Sequence, residues 1–161
     1  MNIMKNLKMT VHFTPKPKAS VRLSARGIFN PSARGMKVIR DYATEYAREN
    51  KIVPLKGPLL VVCHFNLPLP TGARIKQRID ENLCPHYRKP DADNLEKFLN
   101  DCLSGVLWDD DCQISWILRS KSKTSRKDGF TVIYVEEIPD APVNYDAIMQ
   151  SINEHIRMEE I

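Results

Sequence analysis

Residues 89–114 read KPDADNLEKFLNDCLSGVLWDDDCQI, and their apolar and acidic spacing decides the fold class and the place to look for chemistry. Leu95, Phe98, Leu99, Cys102 and Leu103 fall at helical spacing, so they form one apolar stripe of an amphipathic helix. Gly105 is placed to stop that helix. After the triplet Asp109-Asp110-Asp111, the run Ile114 to Ser122 reads as a strand.

Working outward, Lys8 to Phe13 alternates apolar and polar residues and reads as a short strand. Pro15 and Pro17 end it and open a basic loop to about Asn30. Ser32 offers a cap to a helix running to Asn50, with Met36, Ile39, Ala43, Tyr46 and Ala47 on one side. Pro58 to Leu67 reads as a buried strand. A polar, basic excursion from Leu69 to Lys89 follows, with a helical turn expected around Ala73 to Asn82. Lys127-Asp128-Gly129 supplies turn chemistry, and Phe130 to Ile138 is expected to pair antiparallel with the strand from Ile114. Asn144 can cap a last helix carrying Tyr145, Ile148, Ile152 and Ile156. This order implies an α/β (α+β) fold: a small mixed sheet of about four strands, with helices packed on it and a C-terminal helix. Residues 1–139 are expected to form one domain and 140–161 a helical extension.

The chain has 161 residues, 42% of them hydrophobic and 27% charged, which is enough to bury a core without disulfides. No apolar run approaches a membrane span, and the start MNIMKNLKMT lacks the pattern of a secretory signal, so a cytoplasmic protein is expected. Cys63, Cys84, Cys102 and Cys112 are then expected to be reduced, with Cys63 and Cys102 in the core. The formal net charge is +4, and its placement matters more than its size. Lys16, Lys18, Arg22, Arg26, Arg34, Lys37 and Arg40 crowd one stretch; Lys121, Lys123, Arg126 and Lys127 form another. Charge alone does not separate a nucleic-acid surface from two solvated faces.

For Asp91 and Asp93 an ordinary explanation exists: acids in a first helical turn cap it and oppose the dipole, and Asp93 with Lys97 is a stabilising i,i+4 pair. The triplet does not fit that explanation. Acids beyond a helix C-terminus oppose the dipole, and crowded like charges destabilise a fold unless something positive sits among them. A hard divalent cation, magnesium or manganese, compensates such oxygens, provided the chain after Trp108 folds back beside the helix. Cys63-His64 and Cys84-Pro-His86 invite a zinc reading but lack zinc-ligand spacing. A phosphate-cradling glycine loop and a nucleophile elbow are both missing from the sequence. An acidic metal pocket with a lysine, inside a basic surround, is what a metal-dependent nuclease requires.

The segment Lys89-Pro-Asp91-Ala-Asp93-Asn94-Leu-Glu-Lys97, followed by Asp110-Asp111-Cys-Gln113, resembles the signature of the RusA family of Holliday junction resolvases. The order of strands and helices from about Lys8 to Ile138 is also similar to that family. The resemblance implies a homodimeric, magnesium-dependent endodeoxyribonuclease of bacterial or phage type, with a role in recombination and repair, that resolves branched DNA by paired symmetric nicks. By position it implies that Asp91, Asp93 and Asp111 bind the metal, with Asp110 a further candidate, and that Lys97 is the catalytic lysine. Asn94 and Gln113 match as groups that orient the carboxylates. Lys16, Lys18, Arg22, Arg26, Arg34, Lys37, Arg88 and Lys89 are the candidate DNA contacts. The rival readings are a non-catalytic basic DNA-binding protein and a small transferase using DxD to hold a sugar nucleotide.

Overall fold

The computed structural model describes residues 6–25, 27–72 and 84–157. The expected turn around Ala73 to Asn82 lies outside the described residues. In chain order the elements are β1 (Asn6–Val11), β2 (Arg22–Ser24), β3 (Gly27–Phe29), α1 (Ala33–Glu49), β4 (Leu59–Pro68), α2 (Ala92–Leu103), a 3-10 turn (Asp111–Gln113), β5 (Ile114–Thr124), β6 (Phe130–Glu137) and α3 (Tyr145–Arg157).

The central sheet has the order β1-β6-β4-β5. β4 pairs antiparallel with β6 and parallel with β5, in a register that sets Leu60 opposite Trp116 and His64 opposite Ser120. The mixed sheet of four strands is as expected, but β5 and β6 are not a hairpin. The reason lies in β4, which is buried along almost its whole length. A strand with that composition is most stable with a neighbour on both edges, so it enters between β5 and β6. The connection turns at Gly129, where a Cβ would lie 2.5 Å from the Asn66 carbonyl oxygen. No residue with a side chain fits there unshifted.

The two faces of the sheet bury different partners. Leu59, Val61, Cys63, Phe65 and Leu67 of β4 face α1 and α2, packing with Ile39, Ala43, Leu95, Phe98, Leu99, Cys102 and Leu103. Each such large apolar side chain contributes about 1.5–3 kcal/mol when buried. On the other face Leu60, Val62, Tyr134 and Ile138 pack with Ile148 and Ile152 of α3. Trp116 and Tyr145 meet there at 5.8 Å between ring centres. Asn144 caps α3 as expected, accepting from the Asp146 amide at 2.9 Å. Ser32 stands at the start of α1, yet its hydroxyl does not cap the helix and accepts from the Ala19 amide instead, which ties the basic loop to the helix. Within that loop β2 and β3 form a small hairpin. Strands of three residues are too short for alternation to reveal them.

Because β4 and β5 are parallel, α2 is the crossover between them and runs antiparallel to β5. Contacts along its length show the direction. The Lys121 ammonium donates to the carbonyls of Arg88 and Pro90 just before the helix. Arg119 pairs with Glu96, and Ile114 and Ile117 face Asn100 and Asp101 across a cleft. The C-terminal end of α2 receives Arg40, whose guanidinium donates to the carbonyls of Asp101 and Ser104, a cation where the helix dipole is negative. Gly105 follows with φ of 78°, a left-handed conformation that suits glycine at a helix stop.

Candidate active site

Asp91 occupies the N-cap position of α2 with extended backbone, and its side chain makes no capping hydrogen bond. Its carbonyl does accept from the Leu95 amide, so the helix starts normally while the carboxylate is left over. The ordinary role of an acid at this position is therefore not the one this side chain plays. Two residues on, Asp93 meets the Lys97 ammonium at 3.4 Å, a loose contact between half-exposed groups. Partial burial pushes the Asp93 carboxyl up, but Lys97 and the Asn94 amide more than offset this and hold it below the usual aspartate value.

The three consecutive aspartates take three different positions. Asp109 is engaged by Lys56, whose ammonium donates to both carboxylate oxygens at 2.7 Å. Asp110 caps the 3-10 turn: its Oδ1 accepts from the Cys112 amide at 2.8 Å, and that bond holds its carboxyl below the ordinary value. Asp111, also exposed, is the one of the three that lines a cleft of about 280 Å³, with Lys18, Glu96, Lys97, Asn100, Asp101, Ile114 and Ile117. Gln113 locks this arrangement. Its side-chain oxygen accepts from the amides of Asp109 and Asp110, and its nitrogen donates to the carbonyls of Leu55 and Gly57, all between 2.8 and 3.0 Å.

Lys97 is thus the point where the two acidic stretches meet, touching Asp93 and sharing a cleft with Asp111. The chain after Trp108 does fold back along α2. It reaches the second half of the helix first, so Asp111 shares its cleft with Lys97, Asn100 and Asp101. Among the described residues no three His, Cys, Asp or Glu side chains are gathered to hold an ion, and Asp91 and Asp111 make no ion pair. Carboxylates without a cation among them repel, which favours such spreading. The donor chemistry nonetheless fits magnesium: hard, exposed oxygens on Asp91 and Asp111, and on Asp93 a loose lysine contact and the Asn94 amide to displace.

The cleft also contains groups that residue patterns did not single out. Asp93, Lys97, Asn100 and Asp101 lie at i, i+4, i+7 and i+8 on α2, a polar stripe opposite the apolar one that was the available signal. Lys18 joins Asp101 at 2.7 Å, and its amide donates to the Asn94 carbonyl at 3.0 Å. The basic loop is thereby fastened to α2. Of the other candidate DNA contacts, Lys16 and Arg34 line a second cavity of about 530 Å³ with Phe13 and Phe98. Arg22 stands on the small hairpin, Lys37 pairs with Asp41, and Arg88 and Lys89 are exposed just before α2. Arg26 lies outside the described residues.

The Cys63-His64 pair is not arranged to hold a zinc ion together. Cys63 and His64 are neighbours on one strand and point to opposite faces: Cys63 into the core, His64 onto Ser120 at 2.6 Å. Burial pushes the Cys63 and Cys102 thiols up to about 12, so neither is a thiolate at neutral pH. The hydrogen bond with Asp110 raises the Cys112 thiol too.

No helix among the described residues is long and apolar enough to cross a membrane. None of the curated protein sequences compared with this chain matches it. The family profile described as endodeoxyribonuclease RusA matches residues 11–136. That span begins at the end of β1, ends in β6, contains both acidic stretches and Lys97, and leaves α3 outside. The chain belongs to the RusA endodeoxyribonuclease family.

Proposed function

We propose that this protein is a magnesium-dependent endonuclease that acts as a homodimer on four-way DNA junctions, making paired nicks by phosphodiester hydrolysis in recombination and repair. The observation that carries the reading is the position of Lys97, which contacts Asp93 and shares the Asp111 cleft. Asp91, Asp93 and Asp111 would hold the ion, with manganese a substitute; Asp110 is engaged in its cap and is the weakest candidate. A bound magnesium ion supplies Lewis acidity toward a phosphoryl oxygen and makes water a better nucleophile at neutral pH.

The chain's own groups do the rest. Lys97 is exposed and loosely held, so its ammonium can turn from Asp93 to a non-bridging phosphate oxygen and offset the charge that grows there. Lys18, on the same cleft, holds the backbone beside the reacting phosphate, with Lys16 and Arg34 continuing the track. Gln113 fixes the turn that aims Asp111. Two-fold symmetry in the enzyme would match the two equivalent strands of a junction.

The test is nicking of an end-labelled four-way junction with magnesium and with chelator. Paired cuts that require the metal are expected, and intact linear duplex should survive. Binding without cleavage under every metal condition would favour a non-catalytic DNA-binding protein.

A further inference from the structure

Just upstream of the acidic helix, Tyr87 stands 78% exposed. Two cations flank its ring: the Lys123 ammonium at 5.5 Å and the Arg88 guanidinium at 5.8 Å from the centroid. The backbone beneath it is fastened to the edge of the sheet. The His86 amide donates to the Lys121 carbonyl at 3.0 Å, and the Lys123 amide to the Cys84 carbonyl at 2.8 Å. On the other side, Lys121 Nζ holds the carbonyls of Arg88 and Pro90 at 2.8 and 2.7 Å. An aromatic ring is thus presented to solvent on an anchored backbone within a cationic patch. Tyr87 precedes Asp91 by four residues, a span of at most about 14 Å.

Resting on the nuclease reading above, we infer that Tyr87 is a stacking platform for a nucleobase unpaired at the branch point, with Arg88 and Lys123 taking the phosphates on either side of it. The ring gives the base a flat apolar partner, and stacking is indifferent to which base arrives. An exposed cation–π contact is weaker than a base stacked on an aromatic ring, so an arriving base displaces the cations from the ring toward phosphate oxygens. Paired bases inside a duplex already have both faces covered. Only a strand whose stacking is interrupted offers a free face, so the platform favours branched over linear DNA and sets the register of the strand near the acidic helix.

The experiment measures affinity for a four-way junction and for linear duplex in chelator, where no cleavage occurs, with 2-aminopurine at the branch point reporting base stacking. Tyr87→Ala and Tyr87→Leu should weaken junction binding about five- to a hundredfold. Duplex affinity should stay unchanged, and the quenching that wild type produces on binding should be lost. Tyr87→Phe should behave as wild type, since the ring and not the hydroxyl carries the contact. Junction affinity unchanged in both Ala and Leu variants, with wild type nicking junctions normally, would overturn the platform and leave the nuclease reading standing. Equal weakening on junction and duplex would also overturn it. A wild-type protein that neither binds nor nicks any branched DNA would remove both.

Discussion

The two acidic stretches of this protein look alike on paper and behave differently in space. At the start of α2 the local structure makes little use of the carboxylates: Asp91 caps nothing and Asp93 touches Lys97 loosely. In the triplet, two of three are engaged, Asp109 by Lys56 and Asp110 by the Cys112 amide, and only Asp111 enters the cleft. Adjacent residues of one type are therefore not structurally equivalent. Backbone direction at each position decides which acid supports the turn and which is offered to chemistry.

Substitutions can break that comparison. The largest effects belong to the offered acids: Asp93→Asn and Asp111→Asn should each lower junction cleavage by about a thousandfold or more, with binding retained. Lys97→Ala should also lose turnover. Gln113→Ala comes next, in stability more than chemistry. It removes four hydrogen bonds from the turn, and urea denaturation should show a loss of about 2–3 kcal/mol. Asp110→Ala should lower stability less, through loss of the cap. Asp109→Asn should change stability by at most about 1 kcal/mol, because the Lys56 pair is exposed, and should leave cleavage within about threefold. Equal loss of cleavage across the triplet would show that the division of labour is wrong.

Acid titration sharpens the comparison with a smaller effect. The Asp93 carboxyl is depressed in the fold, so its contribution to stability is present above the ordinary aspartate value and is lost as pH falls through the lowered one. The window lies below about pH 4. Carboxyl NMR should show the Asp93 titration move upward in Lys97→Met; an unmoved titration would mean that Lys97 does not hold it.

Much of this was legible in residue order, for reasons that differ by element. The apolar stripes of α1 and α2 and the uninterrupted run of β4 encode their own structure because burial needs those periods. The motif residues around Asp91 and Asp111 named the family because chemistry needs those groups at that spacing. Strand pairing was the failure. Ile114–Thr124 and Phe130–Glu137 follow each other through a short turn, yet β4 separates them, a choice made by long-range burial that local turn signals do not contain. The role of Ser32 was misjudged similarly: a hydroxyl at a helix start was expected to cap, but the Ala19 amide, thirteen residues away, claimed it. Asn100 and Asp101 carry a helical signal in their spacing, whereas nothing local links Lys56 to Asp109.

The most direct test is calorimetric titration of the whole protein with manganese and then magnesium, comparing wild type with Asp91→Asn, Asp93→Asn, Asp111→Asn and Asp109→Asn. Saturable binding by wild type and Asp109→Asn, strongly weakened in the other three, is the result expected. Undiminished binding by Asp111→Asn would contradict the claim that the cleft-facing acid and the two at the start of α2 serve one ion.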